Sequence, residues 1–473
     1  MNKPSRQLAL LPLVLCLCLA SPRAGSAASV TAGTPDGSER WGYVEVRPKA
    51  HLFWWYYKSP QRASAPGKPW PTVLWLQGGP GASGVGLGNF LEVGPLDVNL
   101  KPRNSTWLQK ADLIFVDNPV GVGYSYVEDD SLLVTTDWQQ AADATTLLKA
   151  LVREVPTLQS SPLFLVAESY GGKYAATLGA SVARAVRAGE LSVTLGGVAL
   201  GDSWISPEDF TLAYTPLLLS VSRLDDNAGD EAKRKAETVR GQIAAGQFAA
   251  AQGSWTDLLD FISTTSGNVD MYNFLLDSGM DLVSADTPTG SSATASSVQA
   301  LRYAAYLGGE DSGSNTIDDI MNGVVKEKLK IVPKDLKWAE ISQAVYNALV
   351  NDFMKPRIDE IDELLSYGVN VTVYNGQMGG TEELPEPAKR VSVLWPEQGH
   401  QGFCQVLQEP ALLLDSWSWA LCACRPALYR AEHDQQHNPV SSQLGILCDM
   451  QRSKGGFNFK QLGRGHCSIL EVQ

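Results

Sequence analysis

Short, continuous apolar runs bounded by turn-forming residues fill the first half of the chain and predict buried β-strands. Thr72–Leu76, Leu113–Asp117, Leu163–Ala167 and Val198–Leu200 have the length and unbroken apolarity of central parallel strands. Ahead of them, Trp41–Arg47 and His51–Tyr57 read as a hairpin. Helical spacing fills the intervals. From Asp137, taken as the N-cap, residues Trp138, Ala141, Ala142, Leu148, Leu151 and Val152 share one face until Pro156 stops the helix. A second helix runs from about Gly172 to Ala188 and stops at Gly189. Alternation of this kind predicts an α/β fold with a mostly parallel sheet covered on both faces.

Beyond Pro207 the pattern turns helical until about Pro333, with amphipathic stretches at Asp230–Ala244 and Trp255–Ile262. This block, 207–333, reads as a helical cap inserted over the sheet. Inside it, Ser284–Ser297 is rich in small polar residues and reads as an exposed loop. The helix Ile358–Leu365 and the strand Val369–Tyr374 then resume the alternation. After Gln377 the periodicity fades, and Ala411–Leu414 is the one clear apolar run of the tail.

The ends of the chain change the picture more than its bulk composition does. Lys3 and Arg6 precede an apolar stretch, Leu8–Ala20, and a small-residue run from Ala24 to Ala28. That order predicts a cleaved secretory signal over residues 1–28, since the stretch is shorter than the roughly 20 residues a spanning helix needs. No membrane span is expected elsewhere. Residues 29–377 would form the main α/β domain, in a secreted or lysosomal protein. The triplets beginning at Asn104 and Asn370 are candidate glycosylation sites. A formal net charge of −13 argues against nucleic acid or an anionic surface as partner. The oligomeric state is not legible.

Two loops carry candidate chemistry. In Leu163–Gly172 an apolar strand runs into Ser169, with Ala167 and Gly171 two residues to either side and a helix following. Such a nucleophile elbow holds a serine on a strained turn where strand and helix backbones pass closely. The second loop, Gly78-Gly79-Pro80-Gly81, follows the strand that carries Trp75 and Gln77. Its glycines let backbone N–H groups approach a substrate oxygen. The amides of Gly79 and Tyr170 together could hold the oxyanion of an acyl-transfer intermediate.

These loops resemble the signatures of serine carboxypeptidases, as do Asp117–Tyr126 and Gly201-Asp202-Ser203-Trp204. Trp41–Val44, Phe53–Trp55, Asp352–Pro356 and Asn370–Gln377 are similar to the retinoid-inducible branch of that family. The resemblance spans about Gly37 to Gln377. It implies an α/β-hydrolase fold, no cofactor and no metal, and removal of residues from peptide or protein C-termini at acidic pH. It also implies that Ser169 is the nucleophile, with Gly79 and Tyr170 as oxyanion donors. Glu168 and Gln77, beside Trp75 and Gly78, would bind the terminal carboxylate. A glutamate binds another carboxylate only while it keeps a proton, so affinity should fall as pH rises.

The pattern then breaks. The family aspartate falls at Gly379, with Glu382 and Glu383 the next acids. His400 and His466 follow a glycine as the family histidine does, without its methionine and proline. Without a base, a serine hydroxyl is a weak nucleophile. Between the signal and Cys404 there is no cysteine, whereas Cys404, Cys422, Cys424, Cys448 and Cys467 crowd the end. Residues 378–473 therefore read as a different ending joined at the seam, which would impair activity and leave the sheet poorly covered. Cys422, Cys424, His433 and His437 are a rival metal site, but the pair Cys422 and Cys424 is too close for the usual zinc spacing, and disulfides suit a secretory lumen better. The reading against which catalysis is weighed is a peptide-binding relative without turnover. An acyltransferase on the same scaffold ranks below both.

Overall fold

The computed structural model describes residues 29–62, 69–272, 274, 277 and 316–374, together with the backbones of four short strands in the tail. The expected signal (1–28) and the small-residue loop Ser284–Ser297 lie outside these residues.

Nine strands make one mixed sheet. They are β1 (Ser29–Gly33), β2 (Glu39–Arg47), β3 (Ala50–Tyr57), β4 (Thr72–Leu76), β5 (Asp112–Val116), β6 (Tyr126–Val127), β7 (Pro162–Glu168), β8 (Thr194–Gly201) and β9 (Val371–Tyr374). The order is β1-β2-β3-β5-β4-β7-β8-β9, with β6 paired to β3. Strands β1 to β3 and β5 pair antiparallel, and from β5 to β9 the sheet is parallel. The α/β architecture read from the sequence is thus observed.

Strand β3 explains why its sequence is apolar without alternation. Leu52, Trp54 and Tyr56 enter one core, while Phe53, Trp55 and Tyr57 enter the core on the opposite face. With helices or loops over both faces, neither set meets water. The exposed edge strand β1 has no such signal and was not anticipated.

Helix α1 (Asp137–Glu154) begins one residue earlier than it would with Asp137 as its N-cap. Thr136 is the cap, its hydroxyl accepting from the amide of Gln139 at 3.2 Å. Asp137 instead lies fully buried in the first turn, where Lys173 and Arg357 supply opposite charge. Helix α2 (Gly171–Arg187) ends where Gly189 takes φ +72°, as the sequence indicates.

Helices α3 (Pro207–Ser220), α4 (Asp226–Ala244) and α5 (Phe248–Thr265) occupy the start of the expected insertion. The buried face of α4 is Ala232, Ala236, Val239 and Ile243, a helical stripe as its sequence predicts. The helix Ile358–Ser366 leads into β9. In the tail, Val391–Leu394 pairs with Cys467–Leu470 and Asp449–Ser453 with Gly456–Lys460. Neither pair joins the main sheet, and neither was read from the sequence. Among the described residues no helix is long and apolar enough to cross a membrane.

Candidate active site

Four parallel strands end at one edge of the sheet, where open α/β sheets bind ligands. In register, Leu76 pairs with Ala167, Glu168 with Gly201, and Gly201 with Tyr374. Everything singled out for chemistry in the first two loops converges here.

Ser169 follows β7 directly and adopts φ +54°, the left-handed region that residues with a Cβ rarely enter. Its amide donates to the Gly201 carbonyl at 2.9 Å, and its carbonyl accepts from Trp204 at 2.9 Å and Gly172 at 3.0 Å. The strained turn is therefore held from both sides. Small neighbours are obligatory around it. A Cβ on Gly171 would stand 2.3 Å from the Leu76 carbonyl oxygen, and one on Gly172 would stand 2.2 Å from the Ser203 Cβ. The side chain of Ser169 is half-buried rather than sealed in apolar packing.

The glycine loop closes over that serine. A Cβ on Gly78 would lie 2.8 Å from the Ser169 Cβ. Gly79 has φ +107° and Gly81 φ +98°, conformations that favour glycine. Asp117 braces the loop from below. Its Oδ1 accepts from the Ser83 hydroxyl at 2.5 Å and the Val85 amide at 3.1 Å, and its Oδ2 from the Tyr124 amide at 2.7 Å. Burial pushes its carboxyl up to about 6, against those three donors.

Beside the serine lies a sealed polar cluster. Glu168 and Gln77 are both about 1% exposed. The Gln77 amide donates to Glu92 at 3.0 Å and to Glu168 at 3.3 Å, while its oxygen accepts from the Trp75 indole at 2.7 Å. Trp75 is fixed edge-on against Trp107, with ring centres 5.7 Å apart. Gly88 must lack a side chain here, because a Cβ would meet the Trp75 indole nitrogen at 2.3 Å.

Glu92 was missed by the sequence reading. It ends a glycine-rich π-helical turn, Gly84–Glu92, whose irregular winding has no simple periodicity. One signal was available: Glu92 is the only ionisable residue between Pro80 and Asp97. Burial raises its carboxyl to about 7, partly offset by Glu168, Gln77 and the Arg103 guanidinium. Two carboxyl groups bridged by one amide cannot both ionise cheaply. At acidic pH the cluster therefore keeps a proton that a peptide carboxylate could share.

Behind the turn, the Tyr170 ring stacks on Phe353 at 5.4 Å, and its hydroxyl donates to Asp137 at 2.9 Å. Asp137 accepts from Arg357 at 2.7 Å and faces Lys173 at 3.4 Å, all of them buried. Arg357 also pairs with Asp352, whose carboxylate accepts from the Asp137 amide at 2.8 Å. On the other side Trp204 packs against Phe210 and Trp255, at 5.1 and 5.2 Å, so α3 and α5 join it in a buried aromatic cluster.

Asn104 and Asn370 are exposed. Gly379, Glu382, Glu383, His400 and His466 lie outside the described residues, as do Cys422, Cys424, His433 and His437. Among the described residues the one histidine, His51, stacks on Tyr126 at 4.5 Å on the antiparallel side of the sheet.

Comparison with known proteins agrees with this geometry. Residues 30–381 match the family model for serine carboxypeptidases, peptidase S10. Serine carboxypeptidase-like 51 of Arabidopsis thaliana is 54% identical over 374 residues, covering 77% of this chain and 80% of that protein. The retinoid-inducible serine carboxypeptidase of Homo sapiens is 38% identical over 400 residues, covering 83% and 84%. Among solved structures, the prohormone-processing carboxypeptidase Kex1 of Saccharomyces cerevisiae superposes with a TM-score of 0.55 at 20% identity, over 75% of this chain and 80% of that one. That superposition supports the fold. A serine on a strained elbow, a glycine loop above it and buried acids beside it accord with the sequence matches, and the chain belongs to the serine carboxypeptidase family, a family of peptide hydrolases.

Proposed function

We propose that Ser169 is the nucleophile of a carboxypeptidase acting at acidic pH on peptide C-termini. The amides of Gly79 and Tyr170 serve as oxyanion donors, and Glu168 and Gln77, with Trp75 and Gly78, receive the terminal carboxylate. Glu92 joins that pair. The observation that carries this reading is the contact of the Gly78 backbone with Ser169 beside the bridged acids. Attack by the Ser169 hydroxyl would give an acyl-enzyme and release the last residue, and water would then free the shortened peptide.

The aspartate position of the family is Gly379 here, and the histidines that could act as base are His400 and His466. Loss of a triad member typically leaves about 10³–10⁴-fold catalysis over water. Turnover should accordingly be slow relative to a chain with both partners. The match to the family model ends at residue 381, which supports reading 378–473 as a separate ending. The proposed secretory route, to the outside or the lysosome, is supported by the residue order of 1–28 and by the exposure of Asn104 and Asn370.

The test is an active-site phosphonate together with a blocked dipeptide at roughly pH 5. Labelling at Ser169 and hydrolysis, both lost in Ser169→Ala, are expected. Carboxylate-dependent peptide binding without labelling or turnover would instead favour the binding relative, to which Gly379 gives some weight.

A further inference from the structure

Tyr374 closes β9 and takes no part in the chemistry described so far. Its backbone position is set by register: Glu168, Gly201 and Tyr374 stand abreast on three adjacent parallel strands. Registered residues on neighbouring strands project to the same face. Gly201, between them, has no side chain. A Cβ there would meet the Tyr374 ring at 2.5 Å and its hydroxyl oxygen at 2.6 Å. The phenol thus lies across Gly201, towards the strand that ends in Glu168.

The hydroxyl is shut off from water and has no hydrogen-bond partner among the described residues. A buried donor left unpaired is costly and rarely kept without a use. The charges that bear on it are those of Glu168, Asp202 and Glu92, and they add to burial in holding the phenol well above its ordinary range. It is therefore a permanent donor beside a group of acids.

We infer that Tyr374 is a positioning residue of the carboxylate subsite, its hydroxyl donating to Glu168 when the Glu168–Glu92 pair takes on negative charge from a bound peptide carboxylate. This rests on the reading of Glu168 and Gln77 as the carboxylate-binding pair. In the empty, acidic site Glu92 keeps its proton, so the cluster carries its least negative charge and the hydroxyl has least to stabilise. A peptide carboxylate brings one negative charge into the cluster, and the hydroxyl then gains an acceptor. Above the titration of Glu92 the empty pair is already negative, the hydroxyl is engaged before binding, and its contribution to affinity shrinks.

The test compares the whole chain and Tyr374→Phe by calorimetric binding of a blocked dipeptide and of its C-terminal amide, at roughly pH 5 and pH 8. The expected result is a loss of roughly ten-fold for the free acid at the lower pH, a smaller loss at the higher pH, and none for the amide. Because the hydroxyl has no partner in the empty site at acidic pH, Tm of the variant at roughly pH 5 should equal or exceed that of the parent. A fall in Tm at that pH, or a loss shared by acid and amide or equal at both pH values, would mean a structural role and overturn the inference. An unchanged acid preference in Tyr374→Phe would overturn it while leaving the carboxylate subsite standing. A parent chain that binds acid and amide alike would remove the subsite itself.

Discussion

The Cβ that Gly78 lacks would stand 2.8 Å from the Cβ of Ser169 and 3.1 Å from its hydroxyl oxygen. No soft side-chain end is available there to yield, because the Glu168 carbonyl oxygen sits on the same point at 3.0 Å. The glycine loop and the elbow are thus one fitted surface.

Gly78→Ala should accordingly displace the elbow or the loop by a few tenths of an ångström. Reaction of Ser169 with a phosphonate should slow by roughly ten-fold or more, because small misplacements at reacting atoms are expensive. Labelling kinetics followed by mass spectrometry would check this, and an unchanged rate would show that the loop does not bound the site.

Glu92→Gln should alter the pH response of peptide binding. In the parent, affinity for a free terminal carboxylate falls as pH rises through about 7, where Glu92 ionises and repels it. The neutral glutamine keeps its charge at zero throughout. The decline should then move away from Glu92's range, which a binding titration against pH would reveal, while the C-terminal amide should bind the same to both proteins.

Asp137→Asn should cost about 3–5 kcal/mol of stability, because it leaves the buried Lys173 and Arg357 with Asp352 and, for Arg357, the more distant Glu360 as their remaining acids. Urea unfolding gives the magnitude. A change within error would show that water or a rearranged partner replaces the charge.

Stability should be greatest in acid. Burial raises Glu92 and Glu340 to about 7 and Asp117 to about 6. Each folded value lies above the unfolded one, so the unfolded chain releases its protons first as pH rises. The stabilisation is complete below the ordinary carboxylate range and is lost as pH climbs through the folded values. Tm should fall by several degrees between roughly pH 4.5 and pH 7.5. A Tm that rises over that interval would contradict the burial of these acids.

Much of this architecture could be read from residue order, and the exceptions have physical causes. Strands β4, β5, β7 and β8 are apolar runs because they are covered on both faces, and their short length between turn residues marks them as strands. The elbow was legible because Ser169 needs Ala167 and Gly171 at fixed distances. Asp137 was misread because aspartate is a good N-cap, and only the fold reveals that Lys173 and Arg357, distant in sequence, take it into the core. Glu92 escaped because a π-helical turn of glycines has no regular period. Tyr374 reads as the last apolar residue of a strand, and its nearness to Glu168 exists only once β7, β8 and β9 lie in register.

Beneath Ser169 the chain closes tightly on itself, with Gly171 against the carbonyl of Leu76 and Gly172 against the Ser203 side chain. Contacts this close leave no space for a larger residue at either glycine. Substitutions at these glycines would damage the scaffold, and so would changes at Trp204, Phe210 and Trp255, which are buried in the main core behind the turn. The bend that presents the serine is thus locked to the rest of the fold, and reactivity and folding stand or fall together.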